Sequence, residues 1–450
     1  MVARYRGETE VMRSTTGAEI HGLGEPGSKN AVPQRWRDRK RYLWLLAPVV
    51  PSMAVGSWLL VLGTGQKVFW WLGAIITFVI IPILDHLVGR DSTNPPDSAL
   101  ARLENDRFYR WVNFVYLPGQ YGTLVFACWI WANDWVDITP VDKMGLLVTV
   151  GIIGGIAIST AHELGHQRAG LERTLSKIAL AQTCYGHFVV EHNRGHHVRV
   201  ATPADPASSL LGESLYAFIP RSVAGGIKSA WRIERARFAR TRTSRWSLRN
   251  DVLNAWLLSV AVFSVLTAWF GLQVLPWLVG QAIIGFCMLE TVNYLEHYGL
   301  RRQRLADGRY ERIRPSHSWN SNTIVANVCL FHLQRHSDHH AHPLRRYQTL
   351  RHADEAPQLP SGYATMMLIA MVPPLWRHVM DRRVIEHYGG RVELAALSSR
   401  YGEHHASETL RDTNPPLHRL SRLRRPTFQR YRGGFLRPRR SPSGACRRAT

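Results

Sequence analysis

Apolar residues in this chain gather into long, nearly uncharged runs instead of alternating with polar ones. Six runs stand out, near residues 42–63, 68–84, 111–131, 144–160, 252–270 and 274–294. A helix rises about 1.5 Å per residue, so roughly 20 apolar residues cross a hydrocarbon core about 30 Å thick. The second and fourth runs fall slightly short, and weakly polar flanks can lengthen them. A soluble bundle rarely needs six stretches so free of charge. The pattern predicts an all-α polytopic membrane protein with six transmembrane helices and a helical cytoplasmic cap.

The charges between the runs orient them. Arg35, Arg37, Arg39, Lys40 and Arg41 precede the first run, which places the N-terminus in the cytoplasm. The turn at residues 63–67 is then outside, and the loop 85–110, with Arg90, Arg102, Arg107 and Arg110, is inside. Residues 133–142 carry Asp134, Asp137 and Asp142 without a basic residue and form an exterior loop. Residues 161–251 lie inside, and the sixth run returns the chain to the same side near His297. Both termini are therefore expected in the cytoplasm.

Three regions follow: a polar N-terminal segment (1–40), a membrane domain (41–390) and a basic, flexible C-terminal tail (391–450). The polar start and the length of the first run predict no cleavable signal peptide. Within the cap, residues 171–190 read as a buried or re-entrant helix interrupted at Gly186 and His187. Residues 363–379 read as an interfacial helix spoiled for spanning by Pro373 and Pro374.

Composition changes this picture in two ways. The 56 Lys and Arg against 33 Asp and Glu give a formal charge of +23. No reading helix, zinc knuckle or aromatic–basic RNA signature accompanies it, so anionic lipid and not nucleic acid is the expected partner. The five cysteines, Cys128, Cys184, Cys287, Cys329 and Cys446, form no CxxC pair, which predicts neither a disulfide framework nor a rubredoxin-type iron site. Electrons for any redox chemistry must come from another protein.

The histidines carry the chemistry. Of 21, 13 lie between His162 and His342. His162 and His166 are four apart in His-Glu-Leu-Gly-His, a spacing that puts both rings on one helix face, where they can grip one metal. His192 and His196 repeat the spacing, with His197 pointing about 100° away, towards a second metal or face. His336, His339 and His340 form a third box with an i,i+3 pair plus a neighbour. His297 ends the sixth run, on one face with Glu290 and Asn293. Nine imidazoles exceed one ion's demand and give two ions four or five each, suiting iron, with zinc or copper compatible. The cap is thus metal-binding. Glu163, Glu290, Asn293 and Asp338 are candidates for orienting the ligands, Glu290 by accepting a proton from a ligand ring.

Two other readings compete. His162–His166 matches the HExxH pattern of zinc metalloproteases, with Glu163 activating water. Two further boxes would then have no task. A transition-metal transporter would need ionisable groups through its spans, whereas here they sit beyond the span ends. Four uncharged spans over a metal centre can also enclose an apolar channel, with Trp58, Leu59, Phe69, Ile75, Phe78, Trp111, Phe114 and Ile156 as lining candidates.

Taken together, the motifs His-Glu-Leu-Gly-His (162–166), Glu-His-Asn-Arg-Gly-His-His (191–197), Asn-Tyr-Leu-Glu-His-Tyr-Gly-Leu (293–300) and Leu-Gln-Arg-His-Ser-Asp-His-His-Ala-His-Pro (333–343) closely resemble those of bacterial membrane-bound alkane 1-monooxygenases. The resemblance extends over roughly residues 35–390. Fatty-acyl desaturases and membrane xylene hydroxylases share the three-box plan and remain alternatives, although the 293–300 motif favours the alkane branch. Membership implies six spans, a non-haem di-iron centre without haem or flavin, dioxygen as cosubstrate and terminal hydroxylation of medium- or long-chain n-alkanes. It also implies electrons from NADH through a flavoprotein reductase and a separate rubredoxin. The family's nine ligands correspond to His162, His166, His192, His196, His197, His297, His336, His339 and His340. His187, His317, His332 and His342 lie near the boxes as supporting candidates. Arg301, Arg302, Arg304, Arg309, Arg312 and Arg314 are candidates for docking an acidic electron carrier.

Overall fold

The computed structural model describes residues 36–133, 137–399 and 401. Most of the polar N-terminal segment and nearly all of the basic tail lie outside the described residues. The described chain is all helical, and its few β-bridges are isolated.

Each apolar run forms a helix. Leu43–Thr64 (α1) and Lys67–Val88 (α2) make a hairpin around Gly65, whose φ of 70° is the left-handed value that ends a helix without a Cβ penalty. The short amphipathic helix Asp97–Asn105 (α3) precedes Arg107–Ala132 (α4). Pro140–Gly165 (α5) starts with a capping box in which Thr139 and Asp142 satisfy each other's backbone N–H groups. Asp251–Phe270 (which becomes α9 in chain order) is capped by the Asn250 side chain, and Val274–His297 (α10) follows after a turn at Gly271.

Among the described residues five helices, α1, α2, α5, α9 and α10, are long and apolar enough to cross a membrane. The expected sixth, α4, has 26 residues but carries Asn113, Gln120, Thr123 and an internal Pro118, and it falls outside that set. Burial identifies the axle of the bundle. In its most apolar window α5 is 78% buried, against 28% for α1, α2 and α9, so the latter three turn most of their surface outwards.

Glycines let the axle be approached. A Cβ on Gly151 would lie 2.6 Å from Ile284 Cβ, and one on Gly73 would lie 2.7 Å from the Thr149 backbone. Contacts therefore pair residue 73 with 149 and residue 151 with 284. Helices α2, α5 and α10 run in the same sense; α5 ends in the first histidine box and α10 in His297.

The cap is built on those ends. Gly170–Ala181 (α6) packs along α5, and the chain then breaks at Cys184, which has φ of 53°. A continuous helical run (α7) follows, consisting of Phe188–Glu191, a π-helical turn His192–His196 and His197–Arg199. The expected interruption of residues 171–190 is thus present. Leu215–Arg240 (α8) precedes α9. Ile324–Cys329 (α11), His336–Ala341 (α12), Tyr363–Ala370 (α13) and Pro373–His387 (α14) complete the cap. The prolines start α14 at a position where their missing N–H costs nothing, so residues 363–379 form two helices and not one.

Two apolar cores are the largest among the described residues. One lies among α1, α2, α4, α5, α9 and α10, and the other joins the C-terminal part of α10 to α13 and α14. Phe78, Met288 and Leu330 pack against both and mark their seam.

Candidate metal centre

The C-terminal turns of α5 and α10 deliver His162, His166 and His297 beside α7 and α12. The structure brings all nine box imidazoles into two groups. His162, His166, His192, His197 and His339 form one; His196, His297, His336 and His340 form the other, and within each group the ring nitrogens lie within 4.8 Å of one another.

This division differs from the pairing suggested by spacing. His192 shares its group with His197, not His196. The cause is the π-turn, in which the His197 N–H reaches the carbonyl of His192, so residues five apart share a face. In α12, a regular turn puts His336 and His340 on one face and turns His339 to the other group. Gly195 makes room for the π-turn. A Cβ there would lie 2.5–2.6 Å from the Arg199 guanidinium and the Glu191 carboxylate, which pair across it at 2.6 Å.

The donor set fits bound cations. His197 Nε2 lies 3.1 Å from His192 Nε2 and 3.0 Å from His339 Nε2; His340 Nε2 lies 2.8 Å from His336 Nε2 and 3.2 Å from His196 Nε2. One imidazole nitrogen holds one proton or one lone pair, so it cannot serve two such neighbours as hydrogen bonds. Spacings of this size are those of adjacent ligands around one ion bound at about 2.1 Å. The buried Nε2 atoms of His162 and His166 have no hydrogen-bond partner at all. Burial first, and neighbouring rings second, hold His166, His192, His197, His336, His339 and His340 well below the usual imidazole pKa. Their lone pairs are free for metal at neutral pH. Four and five nitrogen donors are consistent with a non-haem di-iron centre.

Two carboxylates that sequence reasoning had not singled out stand behind the rings. Asp205 Oδ2 is 2.9 Å from His196 Nδ1 and is fully buried. Glu296 Oε1 is 3.2 Å from His336 Nδ1 and accepts a hydrogen bond from Tyr363 Oη at 2.8 Å. The Asp205 acceptor at His196 Nδ1 fixes the tautomer that leaves Nε2 for metal. Asp205 sits between Pro203 and Pro206, and a buried acid in so stiff a loop was the one available signal.

The four acidic and amide candidates occupy other positions. Glu163 Oε2 accepts from the Tyr347 backbone N–H at 3.2 Å, with Arg346 4.0 Å from its other oxygen. It is therefore engaged by the cap, away from the water-activating position of a zinc protease. Glu290 accepts from Tyr185 Oη at 2.6 Å and from Asn293 Nδ2 at 3.4 Å, so it contacts no box imidazole through these bonds. Asp338 accepts from Arg345 at 2.7 Å and from the Arg351 backbone N–H at 3.0 Å, and it faces His342 Nδ1 at 3.0 Å. His332 lies against Lys40, and His317 against Glu311.

Arg335, 1% exposed, fixes the start of α12. Its guanidinium donates to the carbonyls of Leu350 (2.8 Å), Asp91 (2.9 Å) and Thr93 (3.1 Å). Arg335→Leu leaves these acceptors without their donor and is expected to lower stability by roughly 2–4 kcal/mol, read as a lower midpoint of thermal unfolding in detergent.

A small apolar cavity of about 50 Å³ lies at the seam of the two cores, lined by α2, α5, α10, α11 and α13. Of the eight channel candidates it contains Ile156. Phe78 is at the seam; Trp58, Phe69, Ile75 and Phe114 are half-buried elsewhere; Leu59 and Trp111, 55% and 61% exposed, face outwards. Among the arginines of 301–314, Arg304, Arg309, Arg312 and Arg314 are exposed and Arg301 is half-buried. Arg302 donates to the carbonyls of Glu311 (2.7 Å) and Val198 (3.1 Å), the latter beside His197.

Residues 143–370 match the fatty acid desaturase family model. Alkane 1-monooxygenase of Acinetobacter baylyi is 48% identical over 78% of this chain and 86% of its own length. Alkane 1-monooxygenase of Pseudomonas putida is 42% identical over 82% of this chain and 90% of its own. The hydroxylase component of xylene/toluene monooxygenase from Pseudomonas putida is more distant, at 28% over 68% and 80%.

Proposed function

The chain belongs to the family of membrane-bound alkane 1-monooxygenases, and from that premise we propose that it converts medium- to long-chain n-alkanes to primary alcohols with dioxygen. The observation that carries the reading is the pair of imidazole groups, nearly all buried, at the ends of helices α5 and α10, which also line a small apolar cavity. We assign one iron to His162, His166, His192, His197 and His339, and the other to His196, His297, His336 and His340.

An unactivated C–H bond offers no polarity for an acid or base. When bound, the irons supply the oxidising chemistry that side chains lack, reducing dioxygen with two electrons delivered from outside. The protein's residues arrange everything else. Asp205 holds the Nδ1 side of His196, which keeps its Nε2 directed inwards, and the Glu296 carboxyl lies 3.2 Å from His336 Nδ1. Ile81, Ile156 and Val292 give the cavity walls on which an alkane can be buried and from which water is excluded. A narrow cavity admits a chain end first and so favours the terminal carbon by shape.

The finer membrane arrangement in this proposal has α4 as a sixth span. Its 26 residues, about 39 Å of helix, support this. Both termini and the metal centre lie on the cytoplasmic side of the bacterial inner membrane, a reading supported by the basic loops. Electrons come from a separate rubredoxin, itself reduced by an NADH-dependent flavoprotein. The exposed arginines of 301–314, and the bond from Arg302 to the residue after His197, support docking there.

The test is hydroxylation of octane and hexadecane by the iron-loaded enzyme with added rubredoxin, reductase and labelled dioxygen. Labelled 1-alkanols are expected. Unlabelled product would exclude monooxygenation, and an alkene from an acyl substrate would move the chain to the desaturase branch.

A further inference from the structure

Resting on the hydroxylase reading, we propose that a chain of touching aromatic side chains carries oxidising equivalents from the metal centre to the protein surface when no alkane is there to receive them. The chain starts at Tyr185 and ends at Trp246. Tyr185 and Glu290 line a small cavity together with the ligands His192 and His196. From Tyr185 the ring centroids step 4.4 Å to His187, 6.4 Å to Trp256, 6.1 Å to Trp231 and 5.4 Å to Trp246. Each step is a direct ring contact. The Trp256 and Trp231 planes lie 5° from parallel, and Trp246 is 63% exposed, so the path reaches solvent.

Local packing assembles this path. Gly186 lets the break between α6 and α7 sit directly on α9, since a Cβ there would lie 2.6 Å from Ala255 Cβ, and the residues that follow each, His187 and Trp256, therefore meet. Val190, Ala230 and Val252 form a buried core joining α7, α8 and α9, against which Trp231 and Trp256 pack. Tyr185 is the member suited to lose the first electron. Its Oη donates to Glu290 at 2.6 Å, the length of a charge-assisted bond to a carboxylate, so the phenol proton has its acceptor in place. Phe188 is stacked on His192 with centroids 4.7 Å apart and lies 6.4 Å from Tyr185, which links the phenol to the ligand rings.

Oxidising power sufficient for an unactivated C–H bond also suffices for a phenol, and without an alkane the phenol is the easier donor. Tyr185 gives one electron to the oxidised metals and its proton to Glu290, which leaves a neutral phenoxyl radical. Trp256 returns the electron and Glu290 the proton, and the indole radical passes through Trp231 to Trp246. There a soluble thiol supplies the electron; two thiols release two protons and join as a disulfide. Dioxygen is thereby reduced fully to two waters, by two electrons from the external carrier and two from the thiols, with four protons from the thiols and solvent. Electron entry does not use this chain, because the resting metals cannot oxidise a phenol or an indole and neither ring takes up an added electron.

Two measurements test this. The iron-loaded enzyme is reduced anaerobically with dithionite, mixed with dioxygen without alkane and frozen for electron paramagnetic resonance. Wild type should show tyrosine- and tryptophan-type radicals, which saturating octane suppresses. Trp256→Phe keeps a ring in place but interrupts the path, so the tryptophan signal should vanish and the tyrosine signal persist several-fold longer; Tyr185→Phe should abolish both. Wild-type iron content certifies that each variant has folded. With rubredoxin, reductase and glutathione but no alkane, peptide mapping should find oxygen added to Tyr185 and Phe188 several-fold faster in Trp256→Phe than in wild type, while its initial rate of octane hydroxylation is unchanged. No aromatic radical in wild type, or the same radicals and damage in Trp256→Phe, would overturn the path and, with octane still hydroxylated, leave the hydroxylase reading standing. A lowered initial rate in Trp256→Phe would assign the chain to electron entry and overturn the protective role. Wild type that forms these radicals but hydroxylates no alkane would overturn the hydroxylase reading instead.

Discussion

His197→Ala is expected to empty the metal centre and to lower alkane hydroxylation by more than about a thousandfold, since oxidation of an unactivated C–H bond rests wholly on the metals. His197 sits where the two imidazole groups meet. Its Nε2 is 3.1 Å from that of His192 and 3.0 Å from that of His339. Its ring centroid lies 4.7 Å from His166 in its own group and 4.4 Å from His340 in the other. Loss of the ring removes a donor from one ion and a wall between the two. Its Nδ1 has no hydrogen-bond partner, so little besides metal holds the ring in place.

The comparison that gives this result meaning is His342→Ala. His342 lies two residues from His340, but its side chain is half exposed and faces Asp338, outside both groups. Metal analysis of the two purified variants should find iron lost from the first and retained in the second. Membrane insertion should be unchanged in both, because the spans do not depend on the cap histidines. Full iron in His197→Ala would remove its ligand role.

The spans were legible because a hydrocarbon core tolerates almost no charge. The run read at 252–270 became the helix Asp251–Phe270, and the run at 274–294 extended only to His297. The Asn133–Asp142 loop was less open to test, as residues 134–136 lie outside the described residues. Box membership was legible too, because the histidines cluster along the chain beside the ends of the apolar runs. The allocation between groups was not. It depends on one π-turn at His192–His196, made possible by Gly195 lying beneath an ion pair of Glu191 and Arg199. No periodicity announces such a turn.

The cavity was hidden for a different reason. Leu59 and Trp111 have the same apolar character as Ile156, and only the register of neighbouring helices decides which of them faces inwards. A uniformly apolar span has no polar face to reveal its orientation, and α5 shows this most fully, being buried on nearly every side. The carboxylates behind the ligands escaped because they touch the boxes through space. Asp205 is nine residues from His196 along the chain, across a loop whose path no sequence pattern sets.

Asp205 gives the second large effect. Asp205→Asn is expected to weaken iron binding at the four-histidine group by about 10–100-fold, the usual consequence of losing a carboxylate behind a ligating imidazole. The native side chain faces His196 Nδ1 at 2.9 Å while accepting from Ser208 Oγ at 2.6 Å. Asparagine keeps the shape and one acceptor but removes the charge that makes the imidazole more basic. His196 then binds metal less strongly, while the five-histidine group, to which it does not belong, keeps its donors. Chelator challenge should therefore become biphasic, with part of the iron leaving early from the variant and the remainder at the wild-type rate. Ser208→Ala separates charge from positioning: it leaves the carboxylate but frees it to move, so its effect should be smaller than that of Asp205→Asn. Iron loss in one unaltered phase from Asp205→Asn would show that His196 is held by packing alone. Equal losses in both variants would make placement of the carboxylate, and not its charge, the quantity that matters.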